Sequence, residues 1–184
     1  MAPRERDSWL DVVLGQGELF DDGAALPRGC VPYLPCPVDA LLRAVEQAPV
    51  GAADVFVDLG SGAGRALTFV HLLTGATAIG IEIQPELVRA ARETAARLHL
   101  PAVTTLEGDA TSLTGAAASG SVFFLYCPFS GERLARLLAE LEQLARRRAL
   151  CVCAVHLPLP EQPWLRMDRA RHPDLCVFRS SSAT

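Results

Sequence analysis

The chain has 184 residues, a formal charge of −4 and a pI near 5.6. That balance argues against a broad surface for nucleic acid or an anionic membrane, and the half of the residues that are hydrophobic suffice for one domain with a sizeable core. All 17 basic residues are arginine and asparagine is absent too, which excludes a P-loop lysine, a Schiff base and a lysine general base.

In chain order, Ser8 to Leu14 has the makings of one or two helical turns, followed by a Gly- and Asp-rich loop through Gly23. The stretch "GCVPYLPCP", Gly29 to Pro37, carries three prolines and favours extended, semi-rigid backbone. From Val38 to Ala48 the apolar residues recur at helical spacing. Residues 1–50 therefore read as an N-terminal helical and lid segment, and residues 51–184 as the ligand-binding part of one compact domain.

After that, strands and helices alternate. The spacing predicts strands at Val55 to Leu59, Thr77 to Ile83, Val103 to Glu107, Val122 to Tyr126 and Leu150 to Val155. Helices are expected at Arg65 to Leu73, apolar nearly all round and hence well buried, at Pro85 to Leu98 and at Gly131 to Arg146. Two short strands near Trp164 to Met167 and Leu175 to Phe178 can complete the sheet. The alternation predicts an α/β, doubly wound, mostly parallel Rossmann-like sheet with helices on both faces.

The six cysteines show neither CxxC pairing nor nearby histidines, so no metal site is expected and buried free thiols are. Cys151 and Cys153 alternate and should share one side of a strand. The amino terminus lacks a signal-peptide core and no apolar run would span a bilayer, so a cytoplasmic location is expected. Trp9 and Trp164 read as packing residues, His71 as a packed structural histidine and His172 as a turn residue; His156, after the fifth strand, is the better candidate for chemistry.

The chemistry concentrates in "VFVDLGSGAGRAL", Val55 to Leu67. Gly60, Gly62 and Gly64 give G-x-G-x-G rather than the dinucleotide fingerprint G-x-G-x-x-G, and no G-K-[S/T] follows. Asp58, Glu82 and Asp109 sit at or just after successive strand ends and should converge on one sheet edge. Such a ring of carboxylates repels a pyrophosphate and suits a ligand with a sulfonium, an ammonium and a nucleoside, which points to S-adenosylmethionine. Glu82 can accept from both ribose hydroxyls and Asp109 from an adenine amino group, while Asp58 lies near the methionine end. Loss of Glu82 is expected to weaken the cofactor without moving the melting temperature, because an end-of-strand carboxylate is not core. Asp58 could instead bond loop amides and Asp109 cap the turn that begins at Ala110, but a cap explains one acid and not three at successive strand ends.

The motifs "VDLGSGAGR", "GIEIQPELV", "LEGDATSL" and "VFFLYCPF" resemble, in order and spacing from about Tyr33 to Pro160, the class I S-adenosylmethionine-dependent methyltransferases. That resemblance implies a seven-stranded sheet with a reversed last strand. It implies cofactor contacts from Asp58, Gly60, Ser61, Gly62, Gly64, Glu82, Ile83, Gly108, Asp109 and Ala110. "YLPCPVDALL" with the two motifs that follow is similar to small bacterial protein-lysine methyltransferases. Tyr126, Cys127, Pro128 and Phe129, with Tyr33, are then the candidate acceptor pocket. Two departures bear on the nucleophile: Ala63 stands where those relatives often carry an acid, and Cys127-Pro128-Phe129 stands where amino-methylating relatives carry [D/N]-P-P-[Y/F]. Tyr33 and Phe129 also read as packing residues. The expected partner is a methyl acceptor, protein or small molecule, with no nucleic acid and no membrane. A non-catalytic cofactor-binding regulatory or scaffold module is the other reading.

Overall fold

The computed structural model describes residues 2–15, 26–113, 115–168 and 172–181; the loop expected through Gly23 lies largely outside them. Five α-helices are described, α1 (Pro3–Leu14), α2 (Val38–Gln47), α3 (Arg65–Thr74), α4 (Pro85–Arg97) and α5 (Gly131–Ala145). With them come seven strands, β1 (Val55–Leu59), β2 (Thr77–Glu82), β3 (Val103–Glu107), β4 (Val122–Tyr126), β5 (Cys151–Val155), β6 (Leu165–Met167) and β7 (Leu175–Ser180). They form one sheet in the order β3-β2-β1-β4-β5-β7-β6, parallel except for β7, which runs antiparallel to both β5 and β6. The order reverses beside β1, so the crevice beyond its carboxyl end lies between the loops after β1 and β4.

Both faces of the sheet are covered, which is why its central strands β1, β4 and β5 are almost wholly apolar, with Asp58 the one charged residue in them. Phe56 and Phe124 point to one face, their rings 5.6 Å apart, and pack with Leu41, Leu67 and Val70 of α2 and α3. Val57, Phe123 and Leu125 point to the other and pack with Leu137 and Leu141 of α5. Cys151 and Cys153 share the first of these clusters, as their alternation requires.

The N-terminal helix is longer than its spacing indicated. Pro3 in its first turn and the Glu5 carboxylate on the Ala2 N–H start it five residues before Ser8. Leu10 and Leu14 dock against Val38. Trp9 is a correction: it is 56% exposed, because the docking face is set by Leu10 and Leu14. α3 is not buried all round either, since Leu72 and Leu73 in its last turn are exposed. Trp164 is buried as expected, and His71 Nδ1 lies 2.7 Å from the Ala76 carbonyl, a structural contact.

One buried cation organises the amino-terminal region. Arg65, 4% exposed at the start of α3, pairs with Asp7 (2.8 Å) and Asp11 of α1, and its Nε donates to the Cys36 carbonyl at 2.9 Å. The same Asp7 oxygen accepts the Val38 N–H at 2.8 Å. This supplies a cap for α2, whose N-cap residue is Pro37 and offers no side-chain acceptor. Thr94 and Arg97 of α4 reach back to the Leu14 and Val13 carbonyls at the other end of α1.

Candidate active site

The glycine turn leaves β1 with Gly60 at φ 85°, Gly62 at 53° and Gly64 at 79°, the left-handed region that glycine enters without steric cost. Each glycine has a different neighbour. A Cβ on Gly60 would lie 2.6 Å from Pro128 Cβ, and one on Gly62 only 2.1 Å from Tyr33 Cε2. The Tyr33 ring thus rests on the turn, and its phenol oxygen takes the Ala63 N–H. Gly64 faces Ala91 at 2.9 Å, so it allows α3 and α4 to approach and does not line the site.

Glu82 closes β2 with 6% exposure. Its Oε2 accepts the Gly62 N–H at 2.8 Å, and its Oε1 accepts the Ile83 and Gln84 N–H groups at 2.8 and 2.9 Å. The carboxylate therefore clamps the glycine turn to the end of β2. A carboxylate has about four acceptor sites, so three amides leave one, on Oε2, for a ligand hydroxyl rather than the two expected. Three backbone donors depend on Glu82, which gives it a part in holding the turn that its place at a strand end did not suggest.

Asp58, 4% exposed, lines a cavity of about 20 Å³ with Ser61, Tyr33, Tyr126 and Arg65. Burial, together with the nearby Glu82 charge, pushes its carboxyl well above the usual range. Asp109 differs: Oδ1 accepts from the Thr111 N–H and hydroxyl and from Arg133 Nη2 at 2.6 Å. Burial raises its pKa, but the Thr111 and Arg133 contacts outweigh that and hold it below the ordinary value. The acid ring is thus a buried pair, Asp58 and Glu82, plus a capping aspartate. Gly108 and Ala110 line the main cavity while Asp109 does not.

The proline-rich segment forms the opposite wall. Cys30 and Phe129 form an antiparallel bridge, Val31 N–H donates to the Pro128 carbonyl at 3.1 Å, and Ser130 N–H to the Gly29 carbonyl at 3.1 Å. The segment is thereby zipped to the loop after β4. At the ends of β4 and β5, Cys127 and His156 both adopt positive φ, 45° and 50°. Their strain, on the order of 1 kcal/mol each, is held by two contacts: Cys127 Sγ donates to the His156 carbonyl at 2.7 Å, and the His156 N–H donates to the Asp174 carbonyl at 2.8 Å.

These walls enclose a cavity of about 210 Å³. It brings together Gly60, Glu82, Ile83, Gly108 and Ala110 on one side and Tyr33, Tyr126, Cys127, Pro128 and Phe129 on the other. Residues 56–148 match the methyltransferase domain family. The chain belongs to that family. Its members use S-adenosylmethionine as the methyl donor, and the enzyme is an S-adenosylmethionine-dependent methyltransferase.

Solved structures agree on the fold of this methyltransferase. An RNA methyltransferase from Salinibacter ruber, crystallised with S-adenosyl-L-homocysteine, is 26% identical, with a TM-score of 0.60 over 80% of this chain and 92% of its own. A SAM-dependent methyltransferase from Aquifex aeolicus (17% identity, TM-score 0.58, 76% and 88% covered) shares the architecture. So does a putative methyltransferase, yhhF, from Escherichia coli (17%, 0.63, 87% and 92%). No curated protein matches the sequence.

The cavity fits the cofactor of the family. The buried Glu82 carboxylate has acceptor capacity beyond its three amide donors for a hydroxyl of the cofactor, Ile83, Leu87 and Phe129 give apolar walls that suit a purine, and at Gly108 no atom lies within 4 Å of where a Cβ would stand. Among the described residues no group of three or more His, Cys, Asp or Glu could hold a metal ion. None of the described helices is long and apolar enough to cross a membrane.

Sequence reasoning overlooked several participants. Arg133 both grips Asp109 and lies over the Phe129 ring, 5.8 Å from its centroid. Cys30, Val31, Leu34 and Gln84 also line the cavity of the methyltransferase. Arg65 carried the only available signal, a charged residue at the head of an otherwise apolar helix.

Proposed function

We propose that this methyltransferase acts on an amine, with the side chain of a protein lysine as the acceptor class. The observation that supports this reading best is the single cavity that joins the Glu82 wall to an aromatic wall of Tyr33, Tyr126 and Phe129. S-adenosylmethionine, when bound, supplies a methyl carbon already activated for in-line displacement. The chain's own work is then to align an acceptor, exclude water and remove a proton.

A lysine ammonium, with an ordinary pKa near 10.4, must lose a proton before it can attack. Aromatic walls disfavour the charged form by withholding water. Burial pushes the phenols of Tyr33 and Tyr126 up to about 12, so both stay protonated and neither adds a competing charge. His156 lines the same cavity, its ring centroid 6.1 Å from that of Tyr126, and Asp174 Oδ1 stands 3.7 Å from its Nδ1. In this reading His156 receives the acceptor's proton and, being half exposed, passes it to water. The lid role of Gly29 to Pro37, a cytoplasmic location and an acceptor other than nucleic acid complete the proposal.

Tritiated S-adenosylmethionine, incubated with the protein and a cell lysate, tests it. The label is expected in protein, recovered as methylated lysine after acid hydrolysis. Label in RNA, the substrate named for the Salinibacter ruber relative, would replace the acceptor class. No transfer to any fraction would overturn the proposal.

A further inference from the structure

Two buried carboxylates stand at the ends of neighbouring parallel strands, and their surroundings differ. Glu82 is met by three amide donors. Asp58, whose register partner on β2 is Gly80, faces the cavity of about 20 Å³ that adjoins the main one; Tyr33, Leu34, Gly60 and Tyr126 line both. The cation that also lines the small cavity, Arg65, is already committed to Asp7, Asp11 and the Cys36 carbonyl. One guanidinium thus offsets two carboxylates, and Glu82 adds a third. An ionised Asp58 would be a fourth negative charge, 4% exposed. A further polar atom, the buried Ser61 Oγ, lines this cavity with no hydrogen-bond partner.

We infer that Asp58 carries a proton in the free enzyme and releases it to solvent when the ammonium end of the cofactor enters, so that cofactor binding is coupled to proton release. The inference rests on the cofactor reading above. It balances simply: the Asp58 O–H bond breaks, the proton goes to buffer, and the carboxylate left behind pairs with the incoming cation, with no bond of the cofactor changed.

The groups that face Asp58 from other elements do not compete for this role. Glu82 comes from β2, Arg65 from α3 with Asp7 and Asp11 of α1 behind it, Tyr126 from β4, and Tyr33 and Cys36 from the proline-rich segment. Burial holds both phenols near 12 and pushes the Cys36 thiol up, so these three stay neutral near neutral pH. The carboxyl of Asp58 lies above its ordinary range in the free chain. Its contribution to folding is therefore present at low pH and lost as pH rises through that raised value. A bound cation draws it back down. In the window between the two values, affinity rises with pH by up to about tenfold per unit, the slope for one proton released.

Calorimetric titration with S-adenosylhomocysteine, which carries the same ammonium, reads this directly. Repeated in two buffers of different ionisation enthalpy at several pH values above the ordinary carboxyl pKa of about 3.9, it should show up to one proton released by the wild type and none by Asp58→Asn. The affinity of Asp58→Asn should be flat across that range. Without ligand, the melting temperature of the wild type should fall relative to that of Asp58→Asn as pH rises. Equal proton counts for the two proteins would overturn the inference while leaving the cofactor reading intact. Absence of any S-adenosylhomocysteine binding by the wild type would overturn both.

Discussion

Glu82→Ala should lower both cofactor affinity and stability. The side chain, 6% exposed, accepts from Gly62, Ile83 and Gln84. Its removal strands donors that each cost about 1–3 kcal/mol when buried and unpaired. Partial access of water limits the total to about 3 kcal/mol, or roughly 6–12 °C in melting temperature for a domain of this size. Affinity for S-adenosylhomocysteine should drop about tenfold to a hundredfold, because the glycine turn loses its tether and a ligand hydroxyl loses its acceptor. Glu82→Gln makes the point sharper. An amide can keep its oxygen toward Ile83 and Gln84, but it then presents N–H to the Gly62 N–H. It should retain most of the stability and little of the affinity. Thermal melts of the free proteins beside ligand titrations decide the matter. An unchanged melt for Glu82→Ala would mean that the clamp on the turn is not real.

Arg65→Met should cost about 3 kcal/mol, the low end for breaking a buried ion pair by removing one partner. Methionine fills much of the volume, so the loss is electrostatic: Asp7 and Asp11 would face each other without a cation, and the Cys36 carbonyl would lose its donor. Both aspartates are about one-third exposed, which keeps the cost from rising further. The damage should spread along the chain. Asp7 also caps α2, and Cys36 ends the segment that carries Tyr33, so a wall of the cavity loosens together with α1. Urea unfolding should show a lower midpoint, and affinity for S-adenosylhomocysteine should fall with it. A midpoint within error of wild type would show that α1 docks through Leu10 and Leu14 alone.

These two residues also mark where the sequence was readable. The β-strands and the four later helices followed from local periodicity, as with Leu134, Leu137, Leu138 and Leu141 on one face of α5. Glu82 was visible because a carboxylate at a strand end next to a glycine turn has few other uses, yet its three amide bonds were not. They depend on how the turn folds back over β2, which no local pattern records. Arg65 was harder still. Its partners lie 54 and 58 positions away, and the i,i+4 spacing of Asp7 and Asp11 looks like any solvated helix face until the fold brings a buried guanidinium to it. Trp9 failed for the opposite reason, since a large apolar side chain is a sound prior for burial but helix phase decides. The positive φ of Cys127 and His156 left no trace in residue type, because neither is glycine.

The most direct test of the account is calorimetric titration of the purified protein with S-adenosylhomocysteine and, separately, with NAD. The glycine spacing, the buried pair Asp58 and Glu82 and the absence of lysine predict saturable binding of the first and none of the second. Binding of NAD more tightly than S-adenosylhomocysteine would contradict it.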